Sequence, residues 1–581
     1  MNVIIHLLFS FKNQIKRGIL MLKKLLALML VLFLTLSLTL AGCNNEDTPD
    51  TIDTPSDTDT TENIDKEKPE EVEPKILSYG TNSLDGKFNP IISDNVYDSY
   101  VVDIIFDGLI TNNPSGEPIP DIATWEISED KKTYIFNLEK GIKFHDGEEL
   151  TAEDVEFTYY TIAHPDYTGP RGSVITDIVG AQAYRDGEAE TIEGIKVIDD
   201  YTISFTIEEP NVQKIWDFSY GIMPKHIYEF SKYEDFLSLN QNPVGCGPFK
   251  FEKYEVGQYL ETSKFDDYWK EPAKIDGVRV VLIPSETQPQ AVGTGEVDLV
   301  QPTANLDNQE TIESMGKASV QTFVGNGYNY IGFNLRLPKF QDKRVRQALT
   351  YGLNRKGFID SQWEGFAKVC NAPISPVSWA FTEDINTYEF NPKKAKELLE
   401  EAGWIDRDDD GWVENEAGEE LTITWTAYND VDWPLNLIAV AKENWKEIGV
   451  QLEGDLMEFN AVSEKVYDNR DFEIYNMGWS LSIDPDPTGI WDKASDVPGG
   501  FNSIGFYNER AEELFKAGLT EYDQDARAEI YKEWAKIANE EMPYIFIAIR
   551  EEMWGVSNRV KGLELGPYYD WSYQVTDIEI E

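Results

Sequence analysis

The segment from Asp406 to Glu414 carries acidic side chains at the spacing of a calcium-binding loop. Such loops place oxygen ligands at alternate positions from one to nine and a turn-making glycine at position six, which is Gly411 here. Position twelve is Ala417 instead of a bidentate glutamate, so the loop either borrows a neighbouring carboxylate, binds weakly or is an acidic turn. We predict no required cofactor and at most a structural calcium ion, with the candidate ligands Asp406, Asp408, Asp410, Trp412 and Glu414.

Cys43 is the second position with distinctive chemistry. A basic pair at residues 23 and 24, an apolar run from Leu25 to Leu38, and small Ala41 and Gly42 precede it. This order resembles the bacterial lipobox, which implies cleavage before Cys43, attachment of diacylglycerol to its sulfur and retention on the outer face of the membrane. Residues 1–42 would be the signal peptide, with Met21 as an alternative start. The competing interpretation is a membrane-spanning helix, since the apolar run approaches the minimum spanning length of about 17 residues.

Residues 43–75 would connect the lipidated cysteine to the folded body. Between residues 44 and 74 the chain has hardly an apolar side chain, which predicts a disordered tether with a reach of about 30 Å. The whole chain has a net charge of -54, and such a field repels nucleic acid and anionic lipid. We therefore predict no nucleic-acid partner, and contact with the membrane only through the lipid on Cys43.

The remaining chemistry-bearing residues give no catalytic pattern. Cys246 and Cys370 either pair or stay free once Cys43 is lipidated. The chain has four histidines, and no GxSxG, HExxH or Walker pattern occurs. Acidic residues are so abundant that a carboxylate pair for glycoside hydrolysis is neither supported nor excluded. We predict that the chain is not an enzyme.

Strand-like and helix-like runs alternate through the body that positions these residues. Helix-capping signals occur at Thr151 and at Asn391, and a third helix is predicted between 433 and 448. About 500 residues after the tether are too many for one core, so the fold class is α/β, built as at least two lobes. The runs that alternate as strands or hairpins are 132–138, 197–207 and 249–263.

Six sequence blocks follow one another in the order typical of a known family. They are 134–155, 245–250, 268–269 with 295–298, 342–348, 391–404, and 478–479 with 484–487. Over essentially residues 76–581 this set resembles the family 5 extracellular solute-binding proteins, the oligopeptide- and dipeptide-binding components of ABC importers. The first block also has a structural explanation, a turn at Asp146-Gly147 followed by the cap at Thr151. His145 is predicted to be a turn or surface histidine.

The resemblance implies a two-lobed periplasmic-binding-protein-like fold of type II, in the large form with an extra subdomain. Hinge strands would join the lobes, with chain crossings near Gly245, Ile283 and Tyr544, and hinge closure would be the working motion. The first lobe would comprise residues 76–116, 245–287 and 544–581, with residues 117–244 as its subdomain. The second lobe would comprise residues 288–543.

The resemblance also implies that two segments face each other across the cleft. The first is Asp94, Asn95 and Val96, and the second runs from Met477, Gly478 and Trp479 to Asp484 and Asp486. Peptide binders of this family place an aspartate three residues after the tryptophan, where this chain has Ser482. Asp484 and Asp486 either replace it as the ammonium anchor or form turns beside prolines. Tyr330 and Asn334 are further cleft candidates, the alternatives being a core tyrosine and a strand-end asparagine.

The sequence therefore predicts a lipid-anchored, monomeric receptor that captures oligopeptides outside the cell and delivers them to the permease of an ABC importer. An oligosaccharide receptor is the alternative within binding proteins, because the chain has 15 tryptophans that could stack on sugar rings. A surface hydrolase and a sensor that reports its ligand to a membrane kinase are alternatives of other classes.

Overall fold

A computed structural model describes residues 73–581 of the chain. The predicted signal peptide, Cys43 and the tether as far as residue 72 lie outside these residues. The strands are β1 (Ile76–Thr81), β2 (Ile110–Asn112), β3 (Pro118–Pro120), β4 (Ala123–Ile127), β5 (Thr133–Leu138), β6 (Ile195–Asp199), β7 (Thr202–Thr206), β8 (Phe249–Glu255), β9 (Tyr259–Lys264), β10 (Gly277–Leu282), β11 (Leu299–Val300), β12 (Ala318–Val324), β13 (Gly327–Phe333), β14 (Ala367–Val369), β15 (Thr422–Tyr428), β16 (Gln451–Met457), β17 (Ile474–Ser480), β18 (Tyr544–Ser557), β19 (Val560–Lys561) and β20 (Glu579–Ile580).

Several α-helices begin at residues whose side chains satisfy free N–H groups, as Asn95, Asn391 and Asn508 do by accepting backbone hydrogen bonds. The helices are α1 (Val96–Ile105), α2 (Ala152–Ala163), α3 (Ala181–Arg185), α4 (Lys225–Tyr228), α5 (Tyr233–Leu237), α6 (Gln288–Thr294), α7 (Leu306–Ser314), α8 (Pro338–Gln341), α9 (Lys343–Tyr351), α10 (Arg355–Trp363), α11 (Pro392–Glu401), α12 (Asp432–Glu447), α13 (Phe459–Ser463), α14 (Thr488–Trp491), α15 (Glu509–Thr520) and α16 (Gln524–Glu541).

The 14-residue strand β18 belongs to two sheets and joins two lobes. Its first half, up to Arg550, pairs with β13 and β14 in the second lobe. Its second half, from Glu551 onward, pairs with β12 and β11 in the first lobe. The other connection is the short link Gly325-Asn326 between β12 and β13. The two lobes are therefore joined by two adjacent backbone segments, which is the arrangement of a hinge.

The predicted start of the second lobe at residue 288 is wrong. Helices α6 and α7 pack against each other, α6 packs on β18, and β11 pairs with β1 of the first lobe. Residues 288–324 therefore complete the first lobe, and the crossing lies at Gly325-Asn326. Conversely, residues 544–550 pair within the second lobe, so the return crossing lies inside β18 instead of at Tyr544.

The first lobe combines a mixed sheet, in the order β11-β1-β10-β9-β8, with the subdomain sheet β4-β5-β7-β6. Both contribute to one apolar core, which includes Tyr79, Trp554 and Trp571. The second lobe has the sheet order β16-β15-β17-β13-β18, and its core includes Trp425, Trp445, Trp491 and Trp534. The α/β class and the two-lobed architecture predicted from the sequence are confirmed.

Several local predictions are also confirmed. The capping box at Thr151 forms with Asp154, and α11 and α12 are followed by Gly403 and Gly449 with φ of 90° and 79°. The predicted hairpins are β6–β7 and β8–β9.

The 245–250 block has a steric explanation, because a Cβ at Gly245 would lie 2.1 Å from the carbonyl oxygen of Ile105 at the end of α1. This block lies within the first lobe, so the crossing predicted near Gly245 does not join the two lobes. His145 is partly buried beside it, with Nε2 3.0 Å from the Gly247 carbonyl oxygen and Nδ1 accepting from the Gly245 N–H. Burial lowers the pKa of His145 to about 4, so it serves as a neutral hydrogen-bonding side chain.

Candidate functional site

A cavity of about 510 Å³, here called the hinge cavity, lies where the two connecting segments pass between the lobes. The first lobe contributes Tyr97 of α1 and residues 301–304. The connecting segments contribute residues 325–329 and 550–553, and the second lobe contributes Gly478 and Trp479 at the end of β17. The lining therefore combines aromatic rings, small polar residues and charged side chains, and apolar surface with a few polar groups is usual in a ligand site.

Three more cavities continue the hinge cavity along the interface between the lobes. The second-lobe cavity, about 520 Å³, shares Asn326 and Trp479 with it. The aromatic cavity, about 240 Å³, shares Gln301 and Glu552 with it and is also lined by Tyr100 and Asp570. The first-lobe cavity, about 550 Å³, shares Ile483, Tyr569 and Tyr573 with the aromatic cavity. Adjacent cavities thus form one elongated cleft.

The lobes touch beyond these cavities, so the structure is a closed form. Nε2 of Gln213 in the subdomain donates to Asp484 Oδ1 of the second lobe over 3.0 Å. The Tyr522 hydroxyl donates to the Lys131 carbonyl oxygen over 3.3 Å, and the Lys131 ammonium lies 5.0 Å from the centre of the Tyr522 ring. These contacts connect the two lobes at a distance from the hinge.

Of the predicted second-lobe residues, Gly478 and Trp479 line the cleft, while Met477 points into the core with 4% exposure. The Trp479 ring stacks on Tyr330 at 6.0 Å and meets the edge of Phe501 at 5.2 Å, so neighbouring rings fix its position. Its indole N–H is buried and has no hydrogen-bond partner among the described residues. The tryptophan thus forms a rigid wall between the hinge and second-lobe cavities.

The predicted first-lobe segment is shifted by one residue from the cleft. Asp94 forms an ion pair with Lys87 at 2.7 Å, Asn95 accepts from the Tyr97 N–H as the cap of α1, and Val96 is exposed. Tyr97, which the sequence analysis did not select, lines the hinge cavity. The prediction located the element correctly, but helix capping directs the side chains of residues 94–96 elsewhere.

Tyr330 and Asn334 belong to the second-lobe core, so their prediction as cleft residues is wrong. Tyr330 is fully buried and stacks on Tyr544 with ring centres 3.9 Å apart. Asn334 is 5% exposed, and its amide donates to the Phe472 carbonyl oxygen over 2.9 Å. Both residues therefore have the structural roles that were the alternatives in the sequence analysis.

Asp484 and Asp486 lie beside the cleft, but their carboxylates already have partners. Asp484 forms a bidentate ion pair with Arg527, one of whose N–H groups lies 2.8 Å from Oδ1. Asp486 accepts from the N–H and hydroxyl of Thr488 and from the Tyr531 hydroxyl. Burial raises the pKa of Asp486 to about 6. These contacts favour the turn-forming role and leave neither aspartate free for an ammonium group.

The charged residues that do face the cleft were missed by the sequence analysis. Arg550, Glu551 and Glu552 interrupt an otherwise apolar strand, and that interruption in β18 is a signal visible in the sequence. Asp103 of α1 faces the first-lobe cavity, and burial together with nearby Asp570 raises its pKa to about 8, against the opposing charge of Arg171. No local pattern marks Asp103 or Asp570, because the fold alone brings them together.

The acidic loop places three of its predicted ligands in one cluster. Carboxylate oxygens of Asp406, Asp408 and Glu414 lie within 4.8 Å of one another. Asp406 Oδ1 is buried and has no hydrogen-bond partner among residues 73–581, whereas Asp410 accepts from the Trp412 N–H over 2.9 Å. These oxygens suit calcium, which prefers carboxylate and carbonyl ligands. Calcium binding at residues 406–414 stays a prediction.

Cys246 and Cys370 are both buried and free, and each lies in the core of a different lobe. Between residues 73 and 581, no helix is both long and apolar enough to cross a membrane.

Comparison with known proteins places these features in context. The model of the bacterial extracellular solute-binding proteins, family 5, matches residues 117–500. The oligopeptide-binding protein AppA of Bacillus subtilis is 31% identical over 75% of this chain and 79% of its own length. Heme-binding protein A of Haemophilus influenzae is 28% identical over 78% of this chain and 83% of its own length. The solved structure of AppA in complex with a nonapeptide superposes with a TM-score of 0.68 and 27% identity, covering 88% of this chain and 100% of that one.

Proposed function

The chain belongs to the bacterial extracellular solute-binding proteins of family 5, and from that premise we propose that it captures oligopeptides and delivers them to the permease of an ABC importer. Proteins of this family are non-enzymatic binding components of ABC transporters. The interpretation as a surface hydrolase is therefore excluded. What remains to be assigned is the class of ligand and the way in which the receptor is held at the cell.

The elongated cleft is the observation that carries the peptide proposal. Its four cavities adjoin one another, and each of the three larger ones has a volume typical of a small-molecule site. A ligand that fills more than one of them must be extended. A peptide has this shape, and its side chains can enter the adjoining cavities while its main chain follows the cleft past residues 325–329.

The wall of the cleft also favours a peptide over an oligosaccharide. Sugar rings are bound by free aromatic faces, whereas Trp479 already stacks on Tyr330 and meets Phe501. Charged groups are prominent instead, with Arg550, Glu551 and Glu552 lining the hinge cavity. A peptide carries both an ammonium and a carboxylate, so it can complement cleft groups of both signs.

We further propose that the receptor is anchored by diacylglycerol on Cys43. The support is the order of basic, apolar and small residues before that cysteine, followed by a polar acidic segment. In a bacterial host, the Cys43→Ser variant should no longer be labelled by radioactive palmitate, whereas the wild-type chain should be labelled. Equal labelling of both chains would contradict the anchor.

The peptide proposal is tested by native mass spectrometry of the chain purified without denaturation, followed by identification of whatever dissociates. Released peptides of mixed sequence would support a receptor that tolerates different side chains. Released oligosaccharides, heme or a metal complex would overturn the proposal. If the protein emerges without ligand, titration calorimetry with random peptides of four to nine residues replaces the first measurement, and absence of binding then overturns the proposal.

A further inference from the structure

Among the carboxylates that face the cleft without an ion-pair partner in the part of the chain that the structure describes, three lie where the cavities of the first lobe adjoin. Asp103 lines the first-lobe cavity, Asp570 lines the aromatic cavity, and Glu552 lines both the aromatic and hinge cavities. Asp103 has neither a hydrogen bond nor a salt bridge there, although its side chain is accessible within the cleft. Carboxylates that face a cavity without a counter-ion are available to a cationic group of a ligand.

A tyrosine supplies a second, independent observation at the same place. Tyr100 is 7% exposed, and it lines the aromatic cavity without any hydrogen bond to its hydroxyl from the described residues. Glu552 and Asp570 line the same cavity as Tyr100, and Asp103 lies three residues further along α1. Burial raises the pKa of Tyr100, and the charges of these three carboxylates raise it further. The tyrosine is largely buried and lines the cavity, so a polar group that enters there can supply the hydrogen-bond partner of its hydroxyl.

Neighbouring cations do not neutralise this group. The Arg171 guanidinium donates to the Ser93 carbonyl oxygen over 3.1 Å and lies 4.8 Å from the centre of the Tyr220 ring. The Arg550 guanidinium lies 5.9 Å from the centre of the Trp363 ring. Neither forms a salt bridge with Asp103, Asp570 or Glu552, so the cleft retains an excess of negative charge where its cavities meet.

The spacing of the carboxylates excludes a single metal ion as the group they recognise. Among residues 73–581, the cluster of three acidic side chains close enough to share an ion is the loop cluster around Asp406. Asp103, Asp570 and Glu552 are more widely spaced. Histidine and cysteine are also absent from the linings of the first-lobe and aromatic cavities in the described part of the chain. An organic cation with several donors fits such an arrangement better than a bare ion.

We propose that Asp103, Asp570 and Glu552, together with the Tyr100 hydroxyl, form a subsite that binds an ammonium or guanidinium group of the ligand. This assignment rests on the proposed function, because a peptide supplies that cation either at its amino terminus or on a lysine or arginine side chain. Charge-assisted hydrogen bonds from such a group satisfy the carboxylates. Asp103 then takes the anchoring role that Asp484 and Asp486 cannot fill.

The experiment compares three pools of random hexapeptides by titration calorimetry with the full chain. The first pool has free amino termini and no basic side chains, the second has acetylated amino termini and one lysine or arginine, and the third is acetylated and lacks basic residues. We expect the wild-type protein to bind the first or second pool at least tenfold more tightly than the third. Preference for the first pool identifies the terminal ammonium, and preference for the second identifies a basic side chain.

Variants make the assignment specific to these residues. Asp103→Asn should remove most of the discrimination between pools, and Tyr100→Phe should reduce affinity for the preferred pool by about threefold to tenfold. The matched control is Asp200→Asn, which removes the same charge at an exposed hairpin turn where asparagine is equally suitable. Equal binding of all pools, or unchanged discrimination in Asp103→Asn, overturns the subsite but leaves the peptide function intact. Failure of every pool to bind overturns both.

The pH dependence gives a readout that a purely structural role would not produce. Burial and the charge of Asp570 raise the pKa of Asp103, and the charge of Arg171 opposes them. The charge of Asp103 in turn helps to raise the pKa of Tyr573. A bound cation favours ionised Asp103, so affinity should rise from pH 6 to pH 8 with release of a proton. Above pH 8, affinity should fall again for a terminal ammonium, whose pKa is about 7.7–8.0, and should persist for a lysine side chain. A flat profile contradicts the proposal.

Discussion

The two lobes differ in whether the carboxylates beside their common cleft have ion-pair partners. In the second lobe, Asp484 is 9% exposed and paired with Arg527. In the first lobe, Asp103 has no ion-pair or hydrogen-bond partner among residues 73–581, and the Asp570 carboxylate accepts from the N–H and hydroxyl of Ser572 without forming an ion pair there. The position of an aspartate in a family motif therefore does not decide its availability to ligand. Its packing partners decide it, and the charge available to a ligand lies in the first lobe.

Removing Arg527, the ion-pair partner of Asp484, tests this contrast, and we expect it to have the largest effect on stability among the variants. Arg527→Met would leave Asp484 buried without a compensating charge, and breaking a buried pair in this way typically costs about 3–5 kcal/mol. We expect a corresponding fall in the free energy of unfolding, measured by urea denaturation. The double variant Arg527→Met/Asp484→Leu should recover most of the loss.

The matched control for this variant is Arg510→Met. Arg510 bonds to Glu533 over 2.8 Å on an exposed helix surface, so its removal should change stability little. If Arg527→Met were no more destabilising than Arg510→Met, the second-lobe carboxylate would not depend on its partner. The contrast between the lobes would then disappear.

The contrast also explains how much of the site could be predicted from the sequence. The ordered blocks located the cleft-facing segment around Trp479, because this motif marks the end of β17, and the end of that strand borders the cleft. Tyr330 and Asn334 could not be assigned correctly, because a central strand with both faces covered gives no pattern that separates core from cleft. Asp103 and Asp570 lie far apart in the sequence, and only the packing of the C-terminal segment brings them near each other.

The fold itself was predictable to the level of lobes and individual elements. Capping residues and hairpin turns are local signals, so elements such as α2 and the β6–β7 hairpin were placed correctly. The start of the second lobe was not, because nothing local shows that α6 and α7 pack on the sheet of the first lobe. The polar interruption Arg550-Glu551-Glu552 was the one visible sign of the crossing within β18.

The acidic loop contains a third group of carboxylates, whose response to a cation can be compared with that of the carboxylates beside the cleft. If Asp406, Asp408 and Glu414 bind calcium with the millimolar to submillimolar affinity of extracellular modules, 5 mM calcium should stabilise the body by about 1–2 kcal/mol. Thermal melting with calcium and with a chelator measures the difference. The Asp408→Asn variant should lose the stabilisation by calcium, and the control variant Asp200→Asn should retain it. Identical melting temperatures with and without calcium would show that the cluster is only an acidic turn.

Asp103 should affect the stability of the ligand-free protein in the direction opposite to an ion-paired aspartate. Its pKa is raised from 3.8 to about 8, so the folded state binds more protons than the unfolded state between these values. Stability should therefore fall as pH rises through that window, and Asp103→Asn should melt about 1–2 °C higher than the wild type at pH 8. The two should melt together at pH 4. A lower melting temperature for Asp103→Asn at pH 8 would mean that this carboxylate has a stabilising partner in the folded protein.

The smallest expected effect concerns the contact that joins the two regions. Gln213 donates to Asp484, which keeps Arg527 as its main partner, so Gln213→Ala removes a single hydrogen bond and leaves no charge unpaired. The closed form should lose about 0.5–1 kcal/mol, and peptide affinity should weaken by twofold to fivefold. The melting temperature should stay unchanged, because the bond forms between lobes and not within a core. Small-angle scattering of the ligand-bound variant should show a slightly larger population of open molecules. Unchanged affinity together with unchanged scattering would mean that the Gln213–Asp484 contact does not contribute to closure. Closure would then depend on the contacts that the ligand makes in the cleft, including those with the carboxylates of the first lobe.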